Sequence, residues 1–208
     1  MDLNSVLLFV VACLAINMIP GPDVIYIVSN TMRGKMASGM KAAVGLGVGY
    51  FIHTLAACLG LSAIILSSAL AFSVVKWLGA LYLVYLGIQS LISMWRGGNK
   101  IVVSENADTE RSVFVQGVIV SVLNPKVALF FLSFLPQFID TSVGSASTQL
   151  LILGLLFSAL ATLCNVLYAS VGSWVFSRPN SERYSRTLEG VSGFLLIGLA
   201  GKVAISER

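Results

Sequence analysis

The chain alternates long apolar stretches with short polar ones, and the apolar stretches have membrane-spanning length. A helix needs about twenty mostly apolar residues to cross a bilayer. Six stretches qualify: residues 6–29, 42–66, 74–94, 113–135, 150–176 and 188–205. The last is short and carries Lys202, which leaves its outer end the least defined. Residues 6–19 resemble the apolar region of a signal peptide. However, Asp2 stands where a basic leader belongs and no small-x-small cleavage site precedes Pro20, so the pattern predicts a retained first span. The expected fold is an all-α integral membrane protein with about six transmembrane helices.

Composition agrees. Of 208 residues, 57% are hydrophobic and 11% charged, against about a quarter charged in ordinary soluble domains. The mean hydropathy is +0.90. A soluble fold of this length could not bury so much apolar surface, whereas a bilayer solvates it directly. The formal charge of +4 is better explained by basic cytoplasmic connections than by nucleic-acid binding. Cys13, Cys58 and Cys164 lie in separate apolar stretches without a Cys-x-x-Cys pair, as expected of small core residues. Glycines such as Gly45, Gly47, Gly49, Gly79, Gly87, Gly190 and Gly198 predict close helix packing. Their small-residue faces could equally serve a contact between copies in a homo-oligomer.

The basic residues predict an orientation. Arg33, Lys35 and Lys41 follow the first stretch, Arg96, Lys100 and Arg111 the third, and Arg178, Arg183 and Arg186 the fifth. The connections after the second and fourth, 67–73 and 136–149, carry none. The basic side is therefore expected to be cytoplasmic and both termini to face outward; one re-entrant stretch would move one terminus across.

The polar segment 95–112 divides the chain into two related halves. Repeat one covers about 1–95, a cytoplasmic connection about 96–112, and repeat two about 113–208, all within a single transmembrane domain. Gly21-Pro22-Asp23-Val24 occupies in the first stretch the place of Asn124-Pro125-Lys126-Val127 in the fourth. Gly79 and Gly87 recur as Gly190 and Gly198 at the same spacing. Each half has an odd number of spans, so the halves must insert in opposite directions, the inverted-repeat plan of many secondary transporters.

Candidate chemistry lies where the apolar pattern fails. Pro20-Gly21-Pro22 should end one half-helix near Ile19 and begin another at Pro22, because proline removes a backbone donor and clashes with the preceding turn. Gly21 can cap the second half-helix and Pro22 suits its first position. In the fourth stretch Asn124 is a good cap, Pro125 suits the first position, and Lys126 follows. Such breaks survive at membrane depth only where protein or a water-filled cavity satisfies the freed backbone groups, and in transporters they frame the substrate or ion site. Asp23 is favoured by the helix dipole and could simply stabilise its turn. Lys126 opposes the dipole in a place where a cation is costly, so it calls for a negative partner: Asp23 or a solute carboxylate.

His53, the single histidine, extends the run Gly45-x3-Gly49-x3-His53 along one helix face. It could carry a coupling proton or serve as a hydrogen-bonded packing residue. Asn165, with Thr162 before it, makes a polar spot that could line a cavity or bridge two helices. No metal-ligand spacing, phosphate loop or nucleophile elbow is present in the sequence, so neither an enzyme nor a cofactor is expected.

These motifs resemble those of the LysE/RhtB family of bacterial amino-acid exporters. The likeness rests on residues 19–23, the glycine-spaced second stretch leading to His53, residues 77–83, 123–131 and 134–138, and the glycine-rich sixth stretch. It covers essentially the whole chain. The resemblance implies export of amino acids or related metabolites across the inner membrane, by exchange against a cation gradient, with protons as the expected ion. It carries over Pro20, Gly21, Pro22, Asp23, Asn124, Pro125 and Lys126 as the central positions. Lys126 could then hold a substrate carboxylate, and Asp23 the ammonium or the coupling proton. An apolar remaining wall would suit a neutral or aliphatic amino acid. Two other readings stay open: a membrane thiol–disulfide electron carrier, which needs two juxtaposed thiols, and a passive channel or scaffold.

Overall fold

The structure, a computed structural model, describes residues 3–61, 69–96, 110–140, 142–172 and 181–205. Lys100, Arg178, most of the 96–112 connection and the far ends of the second and fifth apolar stretches lie outside the described residues. So do the side chains of Arg33, Lys35, Arg111 and Lys202.

All regular structure among the described residues is helical. In chain order it comprises α1 (Leu3–Met18), α2 (Pro22–Ala56), α3 (Ala69–Trp95), α4 (Glu110–Val122), α5 (Pro125–Leu129), α6 (Ala146–Leu167) and α7 (Ser181–Ile205). Wider π turns continue α2 over Ala57–Leu61, α5 over Phe130–Phe134 and α6 over Tyr168–Gly172. A 3-10 turn, Leu135–Phe138, ends the α5 arm. Among the described residues, two uninterrupted helical stretches are long and apolar enough to cross a bilayer, Met36–Gly60 and Ala146–Val171. The count rises to four when each of two bent pairs is taken as one span: Asn4–Met18 with Pro22–Met32, bent by 55°, and Ser112–Val122 with Pro125–Phe138, bent by 44°. Both bends fall at the proline motifs.

The region after the first stretch differs from a simple polar connection. Helical backbone runs through all 35 residues of α2, and a straight helix of that length would measure about 52 Å, well beyond a ~30 Å hydrocarbon core. The helix folds back on itself instead. A methyl group added at Gly39 would collide with the Thr31 side chain, eight residues earlier. In a straight helix those positions are about 12 Å apart. The turn falls between Thr31 and Gly39, so the arm 22–32 and the arm 36–56 lie side by side.

Helix pairing follows the glycines. The arm 36–56 of α2 packs along α4, and α3 packs along α7. Gly45 lies 3.2 Å from the Gly117 Cα of α4, measured from the position of an added Cβ, and faces the Phe114 carbonyl; Gly49 faces Ser121. The opposite side of the same arm meets α6, where Gly47 abuts Thr162 and Gly154 of α6 abuts Thr54. In the α3–α7 contact Gly87 meets Ile197 and the Gly193 carbonyl, and Gly190 meets Met94. Gly198 faces open space, so the sequence pairing of Gly79 and Gly87 with Gly190 and Gly198 only partly describes this interface.

These contacts carry a prediction. Gly45→Ala would place a methyl against backbone atoms of Phe114 and Gly117, which cannot rotate away as a flexible side chain can. Overpacking of this kind costs about 1–3 kcal/mol. The variant is expected to melt several degrees below the parent in detergent. An unchanged melting temperature would show that α2 and α4 are not held this closely.

Polarity is inverted relative to a soluble protein. Leu59, Leu70, Trp95, Leu123 and Phe194 are exposed on the outside, whereas Asn17, Asp23, Thr54, Asn124, Lys126, Asn165 and Glu189 are buried inside. Lipid solvates such a surface, while water would not.

Candidate functional site

The two helix interruptions meet in the interior. Between α1 and α2, Pro20 and Gly21 are non-helical, with Gly21 extended at φ −130° and ψ −172°, and Pro22 opens α2. Between α4 and α5, Asn124 takes φ −73° and ψ 110°, and its side-chain Oδ1 accepts from the Lys126 backbone N–H at 3.0 Å. The Asn-Pro and Gly-Pro motifs thus start their half-helices as their capping chemistry requires.

Lys126 reaches across the two interruptions. Its Nζ donates to Asp23 Oδ1 at 3.2 Å and to the Ile19 carbonyl at 3.2 Å. Both side chains are buried, Asp23 at 1% exposure and Lys126 at 9%. The compensating partner that Lys126 requires is therefore Asp23, together with a carbonyl released by the end of α1. The neighbouring Met18 carbonyl accepts from the Tyr168 hydroxyl at 3.1 Å. Two carbonyls left without helical partners at the break are thus satisfied by side chains from α5 and from the π turn after α6.

Further polar groups surround the pair. Asn165 Nδ2 donates to the Tyr50 hydroxyl at 2.9 Å, and Tyr50 lies near the Asp23 carboxylate. The chain Asn165–Tyr50–Asp23–Lys126 joins α6, both arms of α2 and α5. Asn165 therefore bridges helices, and Thr162 lies on the same α6–α2 contact. Tyr50 and Tyr168 were absent from the expected site. Both read as ordinary aromatic positions in apolar stretches, and only the fold-back of α2 and the π turn after α6 aim them at the break.

Gly21 is part of the site for a spatial reason. A Cβ there would sit 2.8 Å from Asp23 Oδ1 and 3.0 Å from Lys126 Nζ. His53 is placed differently. Its Nε2 donates to the Ser121 carbonyl at 3.2 Å and its ring stacks on Phe131 at 5.6 Å, which joins α2 to the turn preceding the second break. An aromatic cluster of Phe9, Phe130, Phe134, Phe138 and Phe157 packs around α5, and Tyr50 meets Phe157 edge-on.

Two buried polar atoms at the second break have no partner in this conformation: Asn124 Nδ2 and Ser121 Oγ. A buried donor left unsatisfied costs about 1–3 kcal/mol. Glu189 is a buried carboxylate of α7 in the α3–α7 contact, where the Ser90 hydroxyl donates to its backbone carbonyl at 2.7 Å. Glu189 was not among the expected site residues, although an acidic residue inside the sixth apolar stretch marks it. Cys13, Cys58 and Cys164 are free thiols, and no group of three or more His, Cys, Asp or Glu side chains among the described residues could hold a metal ion.

Interrupted helices whose freed backbone groups are satisfied by buried charge, inside an apolar-coated helical body, define a membrane translocator. The chain belongs to the LysE type translocator family, whose model matches residues 14–207. Membership makes it a transporter rather than an enzyme. It is 29% identical over 211 residues to the uncharacterized membrane protein YrhP of Bacillus subtilis (strain 168), covering 98% of this chain and 100% of that one. It is 29% identical over 203 residues to the leucine efflux protein of Enterobacter sp. (strain 638), covering 94% and 93%. The leucine efflux protein of Salmonella choleraesuis (strain SC-B67) is 27% identical over 202 residues, covering 94% and 92%. No solved structure matches the chain.

Proposed function

We propose that this protein is a secondary active exporter of a small neutral amino acid, leucine being the first candidate, in a bacterial inner membrane. The observation that carries the reading is the buried Asp23–Lys126 pair, held at 3.2 Å between two interrupted helices. The pair has the charges a zwitterion needs, in opposite order. An amino acid entering the site would exchange one internal ion pair for two, its ammonium on Asp23 and its carboxylate on Lys126. Burial is then matched by charge in both the empty and the loaded state, which keeps either state from stranding a bare charge. The names of the leucine efflux relatives agree with an aliphatic substrate.

The reading includes six spans arranged as two inverted three-helix repeats, with Pro20, Pro22 and Pro125 setting the breaks. The 55° and 44° bends at corresponding motifs support that plan. It places the basic connections in the cytoplasm and both termini outside. Export runs by exchange against a cation, with the proton as the coupling ion. Gly21, Asn124, His53 and Asn165 shape the site around the pair.

The test is counterflow in proteoliposomes loaded with unlabelled leucine, and efflux from preloaded cells with and without an uncoupler. Labelled leucine is expected to accumulate transiently above its equilibrium level, and the uncoupler to slow efflux. Downhill flux without counterflow would identify a passive pore. Cellular efflux untouched by the uncoupler would remove the proton from the scheme.

A further inference from the structure

The strongest unexplained feature of the second break is the unpartnered side-chain amide of Asn124. The orientation of that amide is set by the structure itself. Its oxygen is committed to the Lys126 backbone N–H at 3.0 Å, so its Nδ2 is the lobe left over. Asn124 is buried to 1% exposure. One turn earlier the Ser121 hydroxyl, fully buried against Gly49, is likewise unpartnered. An asparagine that served only as a helix cap would need its oxygen and nothing more. Aspartate or serine would cap as well without burying an idle N–H donor.

We propose that Asn124 Nδ2 is the neutral half of a carboxylate subsite, with Lys126 as its charged half. The inference rests on the amino-acid reading above and deepens it. Once a substrate ammonium engages Asp23, the Lys126 charge requires an anion. A carboxylate, with two oxygens on one carbon, can accept from Lys126 Nζ and Asn124 Nδ2 at once. The amide then discriminates against ligands lacking that group, because a site built around a donor is left unpaired by them. Asn124 is thus assigned a ligand-binding role in addition to its capping role.

Asn124→Asp separates the two roles. The aspartate oxygen still caps the Lys126 N–H, but the donor becomes an anionic acceptor that repels a substrate carboxylate. The measurement is binding of leucine and of leucinamide, which retains the ammonium but lacks the carboxylate charge, to purified protein in detergent. The parent is expected to bind leucine at least about tenfold more tightly than leucinamide. In N124D the leucine affinity should fall by at least about tenfold, while that of leucinamide moves less than about threefold. Unchanged leucine affinity, as a water on Nδ2 would produce, overturns the subsite, as does equal weakening of both ligands. If N124D does not fold, Asn124→Ser keeps a cap, removes the amide donor, and carries the same comparison. Parent protein that binds neither ligand would overturn the amino-acid reading itself. Parent binding with an indifferent N124D would overturn the subsite alone.

Discussion

Lys126→Met abolishes counterflow and destabilises the protein, and Asp23→Asn does the same; these are the largest effects expected of any single substitution. Each change removes one member of a buried ion pair and leaves the other charge without its partner. In soluble cores that situation costs about 3–5 kcal/mol. Here a bare charge also faces a low-dielectric, apolar surround, so little water is available to compensate. Asp23 would keep the Tyr50 side chain nearby, but its ion-pair partner would be gone. Lys126 would keep the Ile19 carbonyl, a dipole in place of a charge. The informative comparison is the double variant Asp23→Asn with Lys126→Met. It has no stranded charge, so its melting temperature should recover most of the loss seen in either single variant. Its counterflow should stay absent, because neither end of a zwitterion then meets an opposite charge. Full transport by both single variants would remove the pair from the mechanism. A double variant as unstable as the sum of the singles would show that the two residues do not act on one another.

Gly21→Ala is the second large expected effect, and its cause is local. The Gly21 backbone, at φ −130° and ψ −172°, is extended and open to any residue, so no conformational strain arises from the change. The added methyl would instead lie 2.8 Å from the Asp23 carboxylate oxygen and 3.0 Å from the Lys126 ammonium. It pushes apolar volume against both charges and displaces donors from the carboxylate, where each charge-assisted hydrogen bond is worth about 1.5–3 kcal/mol. Transport should fall by at least about tenfold, with a smaller loss of stability than Asp23→Asn causes, because both charges remain present. Gly21→Ser should behave no better, since its hydroxyl starts from the same Cβ. Wild-type counterflow in Gly21→Ala would mean that the pair opens far enough in transport to make this contact irrelevant.

The apolar stretches, both interruptions and the need of Lys126 for a counter-charge follow from residue types and spacing alone. They depend on local physics: proline cannot donate within a helix, a bilayer demands internal backbone satisfaction, and a buried cation needs compensation. The Gly45-x3-Gly49-x3-His53 face was legible for the same reason, since positions four apart share one side of a helix. Its partner was not. Only packing shows that this face lies on α4 through Gly117 and Ser121, which makes His53 a donor to the Ser121 carbonyl.

The choice between open alternatives also needed the third dimension. Asn165 could line a cavity or bridge helices from its sequence position, and its bond to Tyr50 shows the bridge. Sequence by itself thus determined a helical membrane protein with two broken stretches and two charges beside them, because each of those features is a property of neighbouring residues. Tertiary structure decided that Asp23 and Lys126, 103 positions apart, close on one another at 3.2 Å, with Gly21 between them and Tyr50, Tyr168 and Asn165 around them. The fold-back of α2 and the π turn after α6 bring those side chains together, and neither feature leaves a local mark on hydrophobic periodicity.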